Sequence, residues 1–149
     1  MFIMKKALSA VAFIVCTMFT ISAWGQSASA ASSLYQAFGE KAGLTQLVED
    51  FHVRLLADAR MGPHFKPANA KNIKEQLVDQ FCVVTGGPCV YKGADMKSAH
   101  SNLDINKGDF NTLVEVLQQS MDAKGIPFAT QNKLLARLAP MHRDIITVN

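Results

Sequence analysis

Between Leu44 and Leu56, apolar residues return every three or four positions, at Leu44, Leu47, Val48, Phe51, Leu55 and Leu56. That spacing is the period of one α-helix face, so the stretch must be helical with one side turned inward. Similar stripes recur at Ile73, Leu77, Phe81 and Val84, and at Phe110, Leu113, Val114, Leu117 and Met121. A last one runs through Leu134, Leu135, Leu138 and Ile145. After residue 30 there are few β-branched alternations and no Asn-Gly hairpin signal to compete with helix. The chain of 149 residues therefore reads as one all-α domain of four main helices and two minor ones.

Local punctuation sets the boundaries. A short helix in "SLYQAF" ends at Gly39, and the helix of the first stripe runs from about Leu44 to Ala57. "DARMGPHFKPAN" reads as a connection, and the next helix stops at Gly86. "ADMKSAHS" is a short helical segment. Asn106 is placed to cap the following helix, with Asp109 in its first turn, and that helix stops near Gly125. Pro127 suits the first position of the last helix, which Pro140 should kink or end.

The N-terminus reads as an export signal. "MFIMKK" is a basic head, Ala7 to Trp24 is uncharged and apolar, and "SASA" offers small residues for cleavage near Ala30. The domain then spans 31–149, and the expected location is periplasmic. The alternative is an uncleaved membrane anchor, because an apolar run of about 18 residues approaches bilayer length. Cys16 lies within this segment, and Val15 before it is not the small residue a lipidation site wants. Of 15 basic residues, Lys5 and Lys6 fall in the first thirty positions, which hold no acid, leaving 13 bases against 12 acids. A balance so close to neutral excludes a basic footprint for nucleic acid.

Two further cysteines flank a helix stop in "FCVVTGGPC". Along a straight helix Cys82 and Cys89 would lie roughly 10 Å apart, beyond the roughly 4.4–6.8 Å that a disulfide allows. Gly86, Gly87 and Pro88 let the chain fold back, so a disulfide is expected, worth about 2–3 kcal/mol by loop-closure entropy. Two reduced thiols, or a metal pair, are the alternatives.

Four histidines remain to be placed. His64, in the connection, and His142, beside Arg143 and Asp144, read as solvated surface residues. His52 lies inside the first apolar stripe, and His100 stands four residues after Met96 and three before Leu103, on one face of its segment. Each taken alone is either a satisfied core residue or a ligand. No acid or cysteine accompanies either at zincin or zinc-finger spacing, and there is no serine elbow or phosphate loop. Two inward imidazoles in an apolar helical pocket suit a large apolar cofactor that carries its own metal, of which haem is the obvious case.

"GGPCVYKGADMKSAH" resembles the signature of the truncated haemoglobins, read as GGP-x-x-Y-x-G-x-x-M-x-x-x-H, and its spacing resembles the first group of that family. "LYQAFGEKAGL", "VEDFHVRLLAD", the phenylalanine of "PHF" and "LAPMHRDI" are similar too, so the resemblance covers Leu34 to about Ile146. It implies a truncated globin fold, a two-over-two helical sandwich around non-covalent haem b. The absence of C-x-x-C-H agrees with non-covalent binding. By resemblance, His100 is the proximal iron ligand, Phe65 packs on the porphyrin face, Met96 touches the haem on the proximal side, and Tyr91 lies near its edge. On the distal side, His52 stands where the family usually has tyrosine. Ile73, Gln76 and Leu77 match distal positions, and Phe81 matches a phenylalanine gating an apolar gas tunnel.

The implied function is binding of O2, with NO and CO as further ligands, at a pentacoordinate ferrous haem. His52 and Gln76 would act on the bound gas, and NO dioxygenation to nitrate would need an unidentified reductase to return the electron. One alternative is a bis-histidine centre, His52 and His100 both on the iron, for electron transfer or redox sensing. Another is a haem-free helical interaction domain with both histidines in the core.

Overall fold

A computed structural model describes residues 33–148, and the expected export signal of residues 1–30 lies outside them. Every regular element among the described residues is helical: α1 (Leu34–Ala37), α2 (Glu40–Ala57), α3 (Gly62–Phe65), α4 (Ala70–Thr85), α5 (Met96–His100), α6 (Lys107–Ala123) and α7 (Phe128–Leu138). A 3-10 turn, Ala139–Met141, joins α7 to α8 (His142–Ile145) at Pro140, where the sequence called for a break. None of these helices is long and apolar enough to cross a membrane.

Helix ends follow side-chain chemistry. Asn106 Oδ1 accepts from the amides of Gly108 and Asp109 while Asp109 reaches back to the Asn106 amide, a reciprocal cap. Asn69 caps α4 and Asp95 caps α5 one-sidedly, each side chain accepting from a first-turn amide. Pro127 sits one place earlier than expected, as the cap of α7, because its extended ψ of 139° leaves Phe128 as the first helical residue.

α2 pairs with α4 and α6 pairs with α7; α2 lies across α6, and α4 across α7. This two-over-two sandwich closes on Leu44, Leu47, Val48, Phe51 and Leu55 of α2, and Val78, Phe81 and Cys82 of α4. Val116, Leu117, Met121 and Leu134 answer them from α6 and α7. Polar ties fix the layers: the fully buried Gln131 amide donates to Asp122 Oδ1 (2.7 Å) and to the Ile126 carbonyl (2.8 Å), locking α7 onto the end of α6.

Three expectations change. α2 begins at Glu40, not Leu44. Gly39, left-handed at φ 75°, turns the chain, and Gly43 then packs directly over the Phe38 carbonyl five residues before it, a backbone approach that apolar periodicity does not reveal. The connection after α2 contains the helical turn α3, so His64 is half-buried in a helix and not exposed in a loop. Finally, the buried face of α4 is Val78, Phe81, Cys82 and Thr85. Ile73, Leu77 and Val84 of the expected stripe are only half-buried, since they border a second side of the helix.

A Cβ at Gly43 would meet backbone, not a movable side chain. Gly43→Ala should therefore lower stability by about 1–3 kcal/mol in urea denaturation, despite alanine's better helix propensity.

Candidate functional site

α2 carries His52 into the interior, where the residue is 5% exposed. Its Nε2 is buried and has no hydrogen-bond partner. Burial holds the imidazole's pKa below the ordinary 6.5, Lys74 lowers it further by charge repulsion, and Glu49 opposes both. The ring is consequently neutral near pH 7. Lys74 and Glu49 are themselves an ion pair at 2.8 Å joining α4 to α2.

The half-buried side of α4 presents Ile73, Gln76 and Leu77, with Gln80 one turn on. Gln76 Oε1 is the other buried polar atom without a partner among the described residues. It lies against Gly93: a Cβ there would collide with both Gln76 Oε1 and the Tyr91 hydroxyl. Gly93 thus permits the loop before α5 to approach α4 closely. Tyr91 donates its hydroxyl proton to the Ala94 carbonyl at 2.9 Å, and burial, then the Asp95 charge, raises its pKa.

α5 carries His100 on the far side of that loop. Its Nδ1 lies 2.7 Å from the Met96 carbonyl, an acceptor, so Nδ1 carries a hydrogen and Nε2 is the nitrogen left to bind a metal. This is the arrangement a metal-binding histidine uses to fix its tautomer. Gln80 donates to the thioether sulfurs of Met96 (3.3 Å) and Met141 (3.5 Å), closing a cavity of about 240 Å³ beside Tyr91 and Val84. A wider groove of about 480 Å³ runs between α2 and α4 over Val48 and Val78, walled by paired charges. Neither cavity is lined by His52 or His100.

The other predicted residues distribute as follows. Phe65, half-buried in α3, packs against the core below α2, and Phe81 is buried within it. Cys82 and Cys89 form a disulfide with Cα atoms 5.8 Å apart. His142 is exposed and meets Phe110 edge-on at 6.1 Å. Sequence reasoning assigned no role to Gln80 or Met141, and placed Gly93 only as a position of the signature. Gln80 was reachable, since it continues the 73, 76, 77 spacing along α4; Met141 owes its place to α8 packing on α5.

Among the described residues, no three His, Cys, Asp or Glu side chains converge as a metal site. A porphyrin needs only one protein ligand, because its own four nitrogens supply the rest. An Nε2 of His100 left over by the Nδ1 bond, an unsatisfied buried His52 Nε2 and the half-buried aliphatic residues Ile73 and Leu77 of α4 have the chemistry such a group needs.

A sequence profile described as bacterial-like globin matches residues 33–147. The chain belongs to that family. Group 1 truncated haemoglobin of Mycolicibacterium paratuberculosis is 33% identical over 116 residues, covering 78% of this chain and 85% of the relative. The group 1 protein of Tetrahymena thermophila is 28% identical over 94 residues, covering 63% and 78%. Truncated haemoglobin of Tetrahymena pyriformis in its Fe(III) form superposes with a TM-score of 0.74 at 24% identity, covering 77% of this chain and 98% of that one. The 2/2 haemoglobin of Synechococcus sp. PCC 7002, whose structure has covalently attached haem, superposes at 0.72 with 21% identity over 77% and 98%. This globin is accordingly a member of the truncated haemoglobins, haem proteins that bind diatomic gases.

The protonation of His52 has a measurable consequence. Its folded-state pKa lies below the unfolded value, so the unfolded chain binds the extra proton and the folded globin loses stability as pH falls below about 6.5. His52→Leu should flatten that part of the stability–pH curve in urea titrations of the haem-free protein; an unchanged slope would place the loss elsewhere.

Proposed function

We propose that this globin binds non-covalent haem b between α4 and α5, with His100 Nε2 on the iron and His52 on the opposite side facing a reversibly bound gas. The observation that carries this reading is the pair of ring nitrogens described above: one left to bind a metal by the Nδ1 bond to the Met96 carbonyl, the other buried with nothing to bond. A buried polar atom left unsatisfied costs free energy in the empty protein, and a bound ligand removes that cost. Haem held there would supply an iron able to bind O2, NO or CO and, given one electron per turnover from a reductase, to convert NO and O2 to nitrate.

The residues of this chain do the rest. Neutral His52 donates its Nε2 proton to the outer atom of the gas, a bond strengthened by the low dielectric around it. Ile73 and Leu77 line the space without polar atoms and keep water out. Gln76 stands at the boundary, its amide turned toward Gly93, and Phe65 and Phe81 shape the apolar surroundings. Tyr91 and Met96 border the proximal side. Export to an oxidising compartment is supported by the basic and apolar N-terminus and by the Cys82–Cys89 bridge.

A second reading is favoured by the same neutral, unpartnered His52: an imidazole in that state is also competent to bind iron directly. Absorption spectra of the reduced protein separate the two, five-coordinate for gas binding and low-spin six-coordinate for bis-histidine ligation. His100→Ala should weaken haem retention and shift the visible bands in either case; unaltered bands would overturn the assignment. His52→Leu should accelerate O2 dissociation several-fold to about tenfold, the equivalent of one net hydrogen bond of about 0.5–1.5 kcal/mol.

A further inference from the structure

We propose that the Cys82–Cys89 disulfide is a redox-sensitive anchor that positions His100. The last turn of α4 is held firmly without it. Gly86 turns left-handed at φ 87°, the Gly87 amide donates to the Cys82 carbonyl at 2.7 Å, and Arg137 Nη1 donates to the Val84 carbonyl at 2.6 Å. The segment that follows is different. From Pro88 through Ala94 no backbone group hydrogen-bonds to another backbone group. α5 has no fully buried residue, and its main packing partner is the short α8. The bridge from Cys89 to the fully buried Cys82 is therefore the covalent hold on the run leading to His100. Gly87, whose Cβ would come within 2.6 Å of Cys82 Sγ and of the Tyr35 ring, shows how tightly the chain is drawn in at that point.

Opening the bridge requires a dithiol reductant. Its thiolate attacks Cys89 Sγ, the more accessible sulfur; the S–S bond breaks and its electron pair leaves on Cys82 Sγ, which takes up a proton. The second thiol of the reductant, as thiolate, then attacks the mixed disulfide and releases Cys89, which is protonated in turn. Two protein thiols form, and the reductant becomes a disulfide. Cys82 remains packed as a small apolar side chain, while segment 88–95 gains the freedom the bridge had removed. α5 then opens more often, and His100 with it. The consequence for haem rests on the reading of His100 as the iron ligand; the mobility of α5 does not.

The test compares the purified protein before and after treatment with dithiothreitol, alongside the Cys82→Ala/Cys89→Ala variant under both conditions. Hydrogen exchange of amides 99–103 should quicken by roughly thirty- to 150-fold on reduction, the scale set by closing so short a loop. Amides of α2 and α6 should not change, and the variant should behave as the reduced protein throughout. Haem transfer to excess apomyoglobin should quicken in parallel. Free thiols at both positions in the untreated protein, unchanged exchange in α5 after verified reduction, or equal acceleration in α2 and α6 would each overturn the anchor. Protein that takes up no haem would instead defeat the haem reading alone, while the exchange measurement still decides the anchor.

Discussion

The apolar face of α2 is the constraint on which the rest of the structure depends. Leu44, Leu47, Val48, Phe51 and Leu55 are all but inaccessible, and they meet α4 on one side and α6 on another. A helix buried so completely cannot rotate without exposing several large side chains at once, each worth about 1.5–3 kcal/mol. His52 sits on that same face, so packing that serves the core also holds an imidazole in a dry interior. The functional group is placed by its apolar neighbours, and no hydrogen bond of its own is needed to place it.

α4 mediates between that rigid half and the looser one. One side, Val78, Phe81, Cys82 and Thr85, belongs to the core; the half-buried side carries Ile73, Gln76, Leu77 and Gln80, of which Gln76 meets Gly93 of the loop and Gln80 meets Met96 of α5. The two sides have different chemistry because they have different neighbours. Close helix contact leaves no room for amides, whereas the second side carries two glutamines, one against Gly93 and one bonded to two methionine sulfurs. His100 arrives there on a helix of little more than one turn, held by a cap, a disulfide upstream and α8 below.

Much of this was legible in the sequence. The His52 position followed from periodicity, and the break at Gly86-Gly87-Pro88 followed from turn chemistry. The disulfide followed from two cysteines astride that break. The start of α2 was not legible, because Gly39 and Gly43 look like a turn until Phe38 is seen beneath them. Nor was the burial of Gln131, a residue that ordinarily faces water and is inside here because Asp122 and the Ile126 carbonyl wait for it. The motif spacings of residues 86–100 were carried by resemblance, and the packing behind them rests on contacts between α4, α5 and α8.

By itself, the sequence determined that the chain is helical, where its helices stop, and that one imidazole faces inward, since each depends on residues within a few positions of one another. Only the tertiary structure decided that His52 has no partner and that Gln76 turns toward Gly93. Those facts depend on which atoms lie opposite across a helix interface, and local pattern carries no information about distant neighbours.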